Sequence, residues 1–499
     1  MKKPEPFIYK GSLHDYAKES SIEQRAAKGA TWMAVFHFAA QIVSWAATVI
    51  VARILVPDDY GLMEMATIIT GYAFIFNELG LGQAIIQSPA VTKEQLSSVF
   101  WFSMLLSMSF ALFALVVAYP TSLIFNEPRV IPLTQATSIL FILSGLQIVP
   151  QSMLKKEMKF RVVGCIEMMS VLVSCISMVI IAKLGGGVWT LIGGNIIRSF
   201  TLLVLLYFVT GWKPMLIFHF HKARKFIQFG GLVALGRSLF YVHERSDRLF
   251  AGRVWSVQSL GLYSLALQLA KIPTDKIVPI INQVSYSAFA ALQHEKDRFN
   301  SFYLNIAKIT ATIIFPIYFG GFLVGEYLIR ILLTEQWYPM IPIFRYLCLV
   351  QIISGMTAVN GFVHSAQGRP GTNLILNALL AIFMPVSFFL AVRHGMNAIL
   401  IPWFTTYILI NIGWFIYTLQ KLDITLASYL ESLRIPSIAT LSMASSILIV
   451  NHFTGYIAPS TPVYVLLIID VLVGAPVYVF FLSKLDRTFM RNMILMIKK

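Results

Sequence analysis

VARIL at residues 51–55 and YGLMEMA at residues 60–66 return in altered form as AGRVW at residues 251–255 and LGLYSLA at residues 260–266. Identical residues stand at one offset, because Arg53 matches Arg253 and Gly61 matches Gly261, and 253 − 53 and 261 − 61 are both 200. Several matches at one ungapped offset indicate an internal repeat. The sequence therefore predicts a chain built from two related halves.

The composition predicts that lipid surrounds most of the chain. Of the 499 residues, 57% are hydrophobic and 12% are charged, and the mean hydropathy is +0.73. Apolar stretches of about twenty residues, long enough to cross roughly 30 Å of hydrocarbon, recur along the whole sequence. We predict an all-α polytopic membrane protein with about fourteen transmembrane helices. The predicted spans are 30–52, 60–82, 97–119, 130–150, 163–182, 188–209, 228–251, 258–283, 303–325, 341–363, 372–392, 396–418, 435–454 and 462–483.

The repeat also predicts the domain organisation. Six predicted spans separate its two copies, so both copies begin on the same side of the membrane and the halves have parallel topology. Two six-helix lobes and two terminal helices result. The predicted segments are an N-terminal cytoplasmic tail (1–28), an N-lobe (29–210), a basic cytoplasmic linker (211–227), a C-lobe (228–420), and spans 13 and 14 with a basic cytoplasmic tail (421–499).

The distribution of the basic residues predicts the orientation. The formal net charge is +16, and most of the cations lie in alternate connections such as 155–161, 213–225 and 484–499. Cytoplasmic loops of membrane proteins concentrate Lys and Arg, so both termini are predicted to be cytoplasmic. The positive charge of the chain then reflects its orientation in the membrane and its contact with anionic lipid. We therefore expect no nucleic-acid partner. The other connections carry single cations: Arg53, Arg129, Lys183, Arg253, Arg330 and Arg393.

The cysteines and histidines indicate no metal site. Cys165, Cys175 and Cys348 all fall in predicted spans, where a thiol behaves as a small apolar residue. His219 and His221 lie in a basic loop without further ligands at metal-binding spacing. We predict no disulfide framework, no metal and no cofactor.

A charged run interrupts predicted span 7. Arg237 is followed by HERSDR at residues 243–248, so hydropathy alone would end the helix near Tyr241. Subtracting the repeat offset places this run on residues 43–48, deep within predicted span 1. The repeat therefore predicts that the helix continues and that the charges lie at membrane depth.

Polar residues form a stripe at helical spacing in three predicted spans. On a helix that turns 100° per residue, positions 4, 7 and 11 apart share one face. Two such stripes would line a water-filled cavity between the lobes. The stripes are Arg237, Tyr241, Glu244 and Arg248 in span 7, His37, Gln41, Ser44 and Thr48 at the equivalent positions of span 1, and Ser264, Gln268, Lys271 and Asp275 in span 8.

Spans 7 and 8 hold more cations than anions, which predicts a cavity that attracts phosphate or carboxylate groups. The predicted substrate-binding residues are His37, Gln41, Arg198, Arg237, Arg245, Arg248, Lys271, Lys276 and Arg345, and the candidates for ion coupling are Glu64, Glu78, Glu244, Asp247 and Asp275. The alternative is internal neutralisation, because Glu244 with Arg248 and Lys271 with Asp275 have the spacing of helix ion pairs. Arg53 and Arg253 are candidates for an exterior gate, with snorkelling to the interface as the alternative.

Several short motifs resemble those of a known family. The chain contains GATW at 29–32, ELGLG at 78–82, KEMKF at 156–160 and GRPG at 368–371. In their order and spacing these segments are similar to Wzx-type polysaccharide flippases, and more narrowly to the branch that exports colanic-acid-like and xanthan-like repeat units. This branch belongs to the superfamily of multidrug antiporters and the lipid-linked peptidoglycan precursor flippase. The run at 243–248 is more charged than is usual in the branch.

The resemblance implies a function. It implies an undecaprenyl-diphosphate-linked oligosaccharide as cargo, moved from the cytoplasmic to the periplasmic leaflet of a bacterial inner membrane by alternating access, for capsule or exopolysaccharide assembly. Membrane lipid, a periplasmic polymerase and a chain-length regulator are the implied partners, and the chain is expected to be a monomer.

Two other functions remain open at this stage. A membrane enzyme of the same pathway, such as a polymerase, ligase or glycosyltransferase, is suggested by Asp58 and Asp59, but the exterior connections are too short to build a large site. A cation-coupled exporter of small molecules would share the fold, although the excess of cations argues against cationic cargo. We expect a protein that is not an enzyme.

Overall fold

The computed structural model describes residues 19–78, 80–88, 91–369, 371–457, 461–487 and 489. Within these ranges every regular element is helical and no strand occurs, which confirms the all-α prediction. Contacts group the chain into two compact units, Met1–Gly261 and Leu262–Lys499. The predicted lobes, 29–210 and 228–420, follow the repeat rather than this division, and they stay a prediction.

Among the described residues, nine helices lie wholly within the first unit. They are α1 (Glu19–Ile54), α2 (Pro57–Glu78), α3 (Leu81–Gln87), α4 (Lys93–Phe125), α5 (Val130–Ala136), α6 (Ser138–Lys156), α7 (Phe160–Lys183), α8 (Trp189–Thr210) and α9 (Phe220–Val254). The next helix, α10 (Val257–Ala291), begins in the first unit and continues into the second.

The second unit holds the remaining described helices. They are α11 (Lys296–Leu332), α12 (Ile341–Ala366), α13 (Gly371–Ala391), α14 (Leu400–Pro402), α15 (Ile408–Leu422), α16 (Leu426–Ile457) and α17 (Val463–Leu485). Short 3-10 turns, Glu335–Met340, Val392–His394 and Met396–Ile399, and a π-helical turn at Trp403–Tyr407 connect some of them.

Eleven segments of the described chain are helices long and apolar enough to cross a membrane. The protein is therefore a multi-pass membrane protein. The three other predicted spans correspond to α2, α9 and α10, which are helices of 22, 35 and 35 residues. These are the helices that carry most of the predicted charged site, so their composition is less apolar. The count of fourteen spans stays a prediction.

Some boundaries differ from the predicted spans. The predicted span 130–150 is divided at Thr137 into α5 and α6. Many helices are longer than their apolar segments, because polar residues beyond the hydrocarbon still complete helical hydrogen bonds. For example, α4 begins at Lys93. The Thr92 side chain accepts a hydrogen bond from the Gln95 amide, and the Gln95 side chain accepts one from the Thr92 amide. This capping box satisfies amides that the first helical turn leaves open.

The repeat is visible in the backbone. The first helix ends at Ile54 and the second begins at Pro57, while α9 ends at Val254 and α10 begins at Val257. Both boundaries are thus 200 residues apart. Each break closes in the same way, since the Leu55 amide donates to Val51 O (2.9 Å) and the Trp255 amide, 200 residues later, donates to Ala251 O (2.8 Å).

The two repeated glycines make a reciprocal contact within the first unit. A Cβ on Gly61 would overlap the main-chain oxygen of Val257, and a Cβ on Gly261 would overlap the main-chain oxygen of Pro57. Because Val257 is the repeat equivalent of Pro57, each glycine packs on the helix start that belongs to the other copy. Small residues allow such close approach of helix backbones in membrane proteins. The repeat therefore builds a local pseudo-twofold contact.

Packing within each unit fixes the helices that carry the candidate sites. In the first unit α9 packs against α2, α3 and α4. The Tyr241 hydroxyl donates to Ile68 O at 2.8 Å, beside Gly71, where a Cβ would overlap that hydroxyl. In the second unit, α16 and α17 pack together and against α11, with Ala439, Met443 and Tyr478 in the shared core. The predicted terminal helices are therefore closely packed on α11.

Candidate functional site

The charged run of α9 lies on an uninterrupted helix. This helix extends from Phe220 to Val254 and contains every residue of the run 243–248. The prediction that the helix continues through the run is confirmed. Asp247 is fully buried and Arg248 is only 7% exposed, so this part of the helix faces protein. Buried ionisable groups in membrane helices are costly and usually paired.

Four side chains of α2 and α9 form what we call the Glu64 cluster, which comprises Glu64, Arg245, Asp247 and Arg248. One oxygen of Glu64, Oε1, accepts Arg245 Nη1 at 2.6 Å and lies 3.2 Å from Arg248 Nη1. A single carboxylate therefore bridges two guanidinium groups. Glu64 comes from α2, so the cluster joins α2 to α9.

The same cluster is tied to the backbone of α9. Asp247 Oδ1 accepts the Arg248 amide at 2.7 Å and lies 3.3 Å from Arg248 Nε. Arg248 Nη2 also donates to the main-chain oxygen of Glu244 at 2.6 Å. The guanidinium of Arg248 thus contacts Glu64, Asp247 and a peptide oxygen at once. Its position is set by three separate acceptors.

The Glu64 cluster has no net charge, because two carboxylates face two guanidinium groups. Adding Glu64 to the charges of spans 7 and 8 leaves five cations against four anions, so the predicted excess of cations stays a prediction. Arg248 also donates to the main-chain oxygen of Glu244. Removing one member of a buried ion pair typically costs about 3–5 kcal/mol, whereas the intact pair contributes little net stability.

Arg245 keeps unused hydrogen-bonding capacity. Its Nε is buried and has no hydrogen-bond partner among the described residues. The side chain is 33% exposed, and the guanidinium carbon lies 5.7 Å from the centre of the Tyr241 ring. A guanidinium over an aromatic face is held there electrostatically. Arg245 is therefore the most exposed member of the cluster.

A second polar contact joins α1 to α7. His37 Nε2 lies 2.6 Å from Glu167 Oε2, and Gln151 of α6 donates to the other oxygen of Glu167 at 3.2 Å. The His37 side chain is 50% exposed, and Gln41 follows one helical turn later, half-buried. Sequence analysis placed His37 and Gln41 on the polar stripe but did not connect them to Glu167.

The other predicted site residues lie on several helices. Arg237 is exposed on α9, and Arg198 is exposed on α8. In the second unit, Lys271, Asp275 and Lys276 lie on α10 and Arg345 lies on α12. Their roles stay predictions. The side chain of Glu78 lies outside the described residues.

Arg253, one of the two candidate gate residues, contacts the end of a neighbouring helix. Its Nη1 donates to Leu123 O at 3.1 Å and to Ile124 O at 2.7 Å, within the last turn of α4. The last carbonyls of a helix have no intrahelical partner and attract cations. This contact indicates a structural role. Arg53, its repeat equivalent, is exposed at the end of α1, and gating by either residue stays a prediction.

We expect Arg253→Ala to lower the free energy of unfolding by about 1 kcal/mol, because two carbonyls of α4 lose a cationic donor. The matched control is Arg393→Ala, which also removes an arginine. Arg393 stacks on an aromatic ring, because its guanidinium carbon lies 4.5 Å from the centre of the Phe389 ring. Thermal unfolding in detergent would measure both. Unchanged stability with lost transport in Arg253→Ala would contradict the structural role and favour a gate.

Sequence analysis missed a buried acid in the terminal helices. Asp470 of α17 is fully buried, and its Oδ2 accepts the Asn451 side-chain amide of α16 at 3.0 Å. Asp470 Oδ1 and Asn451 Oδ1 have no hydrogen-bond partner among the described residues. The signal was a single acid within the apolar run VYVLLIIDVLVGAPVYVFF at 463–481. An isolated acid in such a run is itself a functional candidate.

The long apolar helices define a multi-pass membrane protein. Among solved structures, the lipid II flippase MurJ in an inward closed conformation is similar at a TM-score of 0.72, with 14% identity, 92% of this chain covered and 99% of that chain. The family model described as "Polysaccharide biosynthesis protein" matches residues 50–342, more than half of the chain. The chain belongs to this polysaccharide biosynthesis protein family.

Two relatives confirm the resemblance to Wzx-type proteins. The chain is 25% identical over 472 residues to the teichuronic acid biosynthesis protein TuaB of Bacillus subtilis (strain 168), covering 93% of this chain and 96% of TuaB. It is 23% identical over 371 residues to the lipopolysaccharide biosynthesis protein WzxC of Escherichia coli (strain K12), covering 73% of this chain and 75% of WzxC.

Proposed function

We propose that this protein translocates an undecaprenyl-diphosphate-linked oligosaccharide from the cytoplasmic to the periplasmic leaflet of a bacterial inner membrane, for assembly of an exported polysaccharide. The family, the names of the relatives and the flippase-like fold support this function. The single observation that carries it is the Glu64 cluster, in which two arginines held by one carboxylate are available to exchange that carboxylate for a phosphate.

The cargo has three parts with different solvent requirements. Its diphosphate needs cations, its sugars need water, and its prenyl tail needs lipid. Arg245 and Arg248 can hold the diphosphate, because guanidinium groups bind phosphate oxygens through paired hydrogen bonds. Arg245 would engage first, because its side chain is the most exposed of the four. The sugars would occupy a watered cavity while the tail stays in the bilayer.

Glu64 gives this exchange a route to ion coupling. When a diphosphate occupies the two guanidinium groups, the Glu64 carboxylate would give up its contacts with Arg245 and Arg248 while its side chain is only 14% exposed. A buried carboxylate that gives up cationic contacts takes up a proton or a cation more readily. Release of the cargo would reverse the exchange. Binding of the diphosphate and loading of Glu64 are therefore proposed to be linked.

The orientation and partners belong to the same proposal. Both termini are proposed to be cytoplasmic, because the basic segments concentrate on that side. The two lobes are proposed to alternate between inward and outward access, as a protein with two related halves can. A periplasmic polymerase and a chain-length regulator would use the product, and the chain would act as a monomer.

The test is translocation of a lipid-diphosphate oligosaccharide in reconstituted vesicles by wild type and Glu64→Gln. We expect Glu64→Gln to lower the turnover about tenfold, the equivalent of roughly 1.4 kcal/mol, because the amide neither competes with the diphosphate at release nor loads a proton. The apparent KM should fall, since the cargo no longer has to displace a carboxylate from the two arginines. The dependence of the rate on an imposed ion gradient should also disappear.

Glu127→Gln is the matched control. Glu127 also pairs with an arginine, Arg129, through two hydrogen bonds of 2.8 Å, but it lies in the connection between α4 and α5. The hydrogen bond from Arg129 holds the pKa of the Glu127 carboxyl below its usual value. Translocation by this variant should match wild type. Equal rates and equal gradient dependence for wild type and Glu64→Gln would overturn the exchange mechanism.

A further inference from the structure

A cavity of about 390 Å³ lies within the second unit, at the end of α11 and the start of α12. We call it the Arg345 pocket and define it by six of its lining residues. They are Phe322, Glu326, Arg330, Tyr338, Arg345 and Tyr346. Pockets of this volume fall within the range that holds small ligands, and aromatic walls with a few polar groups are typical of binding sites.

One of the two arginines in the Arg345 pocket is already neutralised. Arg330 Nε donates to Glu326 Oε1 at 2.9 Å, and these residues are one helical turn apart on α11. The Arg330 guanidinium carbon also lies 4.6 Å from the centre of the Tyr338 ring. The Arg330 guanidinium therefore contacts both a carboxylate and an aromatic ring of the protein itself. Arg330 with Glu326 forms a neutral wall of the pocket.

Arg345 is the cation that is left for a ligand. Its Nε donates to Phe322 O at 2.7 Å, and its guanidinium carbon lies 5.0 Å from the centre of the Phe322 ring. These two contacts fix the plane of the guanidinium. Its terminal Nη nitrogens have no hydrogen-bond partner in the described part of the chain. A fixed guanidinium edge with unused donors matches a planar carboxylate.

The remaining walls favour a sugar ring over a bare anion. Tyr346 is 45% exposed and packs near Phe322, with ring centres 5.8 Å apart. Such rings offer flat apolar faces, and the Tyr338 and Tyr346 hydroxyls add hydrogen-bonding groups at the rim. A carboxylated sugar can contact the arginine, the aromatic faces and the tyrosine hydroxyls. Its carboxylate pairs with Arg345, its C–H face stacks on an aromatic ring, and its hydroxyls form hydrogen bonds with tyrosine. A phospholipid phosphate would use only the first.

We infer that the Arg345 pocket binds a carboxylated sugar residue, such as a uronate, within the oligosaccharide cargo. The inference rests on the proposed function for the identity of the cargo. It adds a second site in the second unit, separate from the arginines of the Glu64 cluster, and it restricts the substrate class to acidic oligosaccharides.

The test measures binding of free monosaccharides by saturation-transfer NMR to the full chain in nanodiscs of neutral lipid. The probes are glucuronate, glucose and glycerol 3-phosphate. Wild type should show a glucuronate signal that exceeds the glucose signal at least fivefold. Arg345→Gln should lose that excess, whereas Arg393→Gln should keep it, because Arg393 stacks on Phe389 outside the pocket. Glycerol 3-phosphate should not displace glucuronate at equal concentration.

A further variant guards against misfolding of Arg345→Gln. Tyr346→Leu leaves the arginine in place and removes one aromatic face, so it should weaken the glucuronate signal at unchanged thermal stability. Displacement by glycerol 3-phosphate would overturn the sugar site and indicate a lipid headgroup. An equal glucuronate signal in wild type and in a folded Arg345→Gln would also overturn it. Translocation in vesicles without glucuronate binding would refute the pocket alone, and binding without translocation would refute the proposed function alone.

Discussion

Gly261→Val is expected to prevent accumulation of folded protein. The new Cβ would overlap the main-chain oxygen of Pro57 and lie 3.0 Å from the Gly61 amide nitrogen. Both contacts are backbone, so neither can move as the end of a side chain would. Overpacking that forces a backbone shift at a helix contact belongs to the most destabilising class of mutation, above about 4 kcal/mol. Yield after extraction, monodispersity and thermal unfolding would measure the loss.

The repeat supplies an internal check on this result. Gly61→Val should have a similar effect, because its Cβ would overlap the main-chain oxygen of Val257 in the equivalent position. The control is Gly320→Ala on α11, where a Cβ would have open space. There the loss of backbone freedom in the unfolded chain should stabilise the helix by up to about 1 kcal/mol. Normal yield of Gly261→Val would show that the reciprocal contact is not required.

Arg248→Gln is expected to lower stability by about 3–5 kcal/mol and to abolish translocation. The change leaves Asp247 fully buried beside a neutral amide and removes one of the two cations that Glu64 holds. It also removes one of the two groups proposed to bind the diphosphate. Thermal unfolding and vesicle translocation would measure the two losses separately.

The double variant Arg248→Gln with Asp247→Asn separates stability from transport. Neutralising both members of the Asp247–Arg248 contact leaves no buried carboxylate beside the neutral amide, so part of the lost stability should return. Glu64 keeps its 2.6 Å contact with Arg245 in this variant. Translocation should stay below wild type by at least tenfold, because one phosphate ligand is still missing. A double variant that transports at the wild-type rate would show that Arg248 is purely structural.

Much of the fold could be read from the sequence because it depends on composition and on a repeat. An apolar fraction of 57% requires lipid, and the 200-residue offset assigned residues 243–248 to a continuous helix. Hydropathy alone would have ended that helix early. The offset succeeded because repeated segments share a backbone path, whatever their side chains. For the same reason, the helix break at 255–256 could be inferred from the break at 55–56.

The candidate site could be read only in part. Sequence spacing identified Arg245, Asp247 and Arg248 as polar residues of one helix, and Glu64 as a separate acid. It could not show that they meet, because Glu64 and Arg245 are 181 positions apart and the contact depends on how α2 packs against α9. Local spacing suggested Glu244 as the partner of Arg248, and that pairing stays a prediction beside the observed contact with Glu64.

The repeated sequence by itself determined the membrane class, the equivalence of the two helix breaks, and which residues of α9 are charged. Tertiary structure alone decided that one carboxylate bridges two of those charges and that Arg253 caps α4. It also decided that Arg345 keeps open donors beside aromatic rings. The physical reason is range: helix formation and apolar burial depend on neighbours along the chain, whereas ion pairing depends on distances that only packing sets.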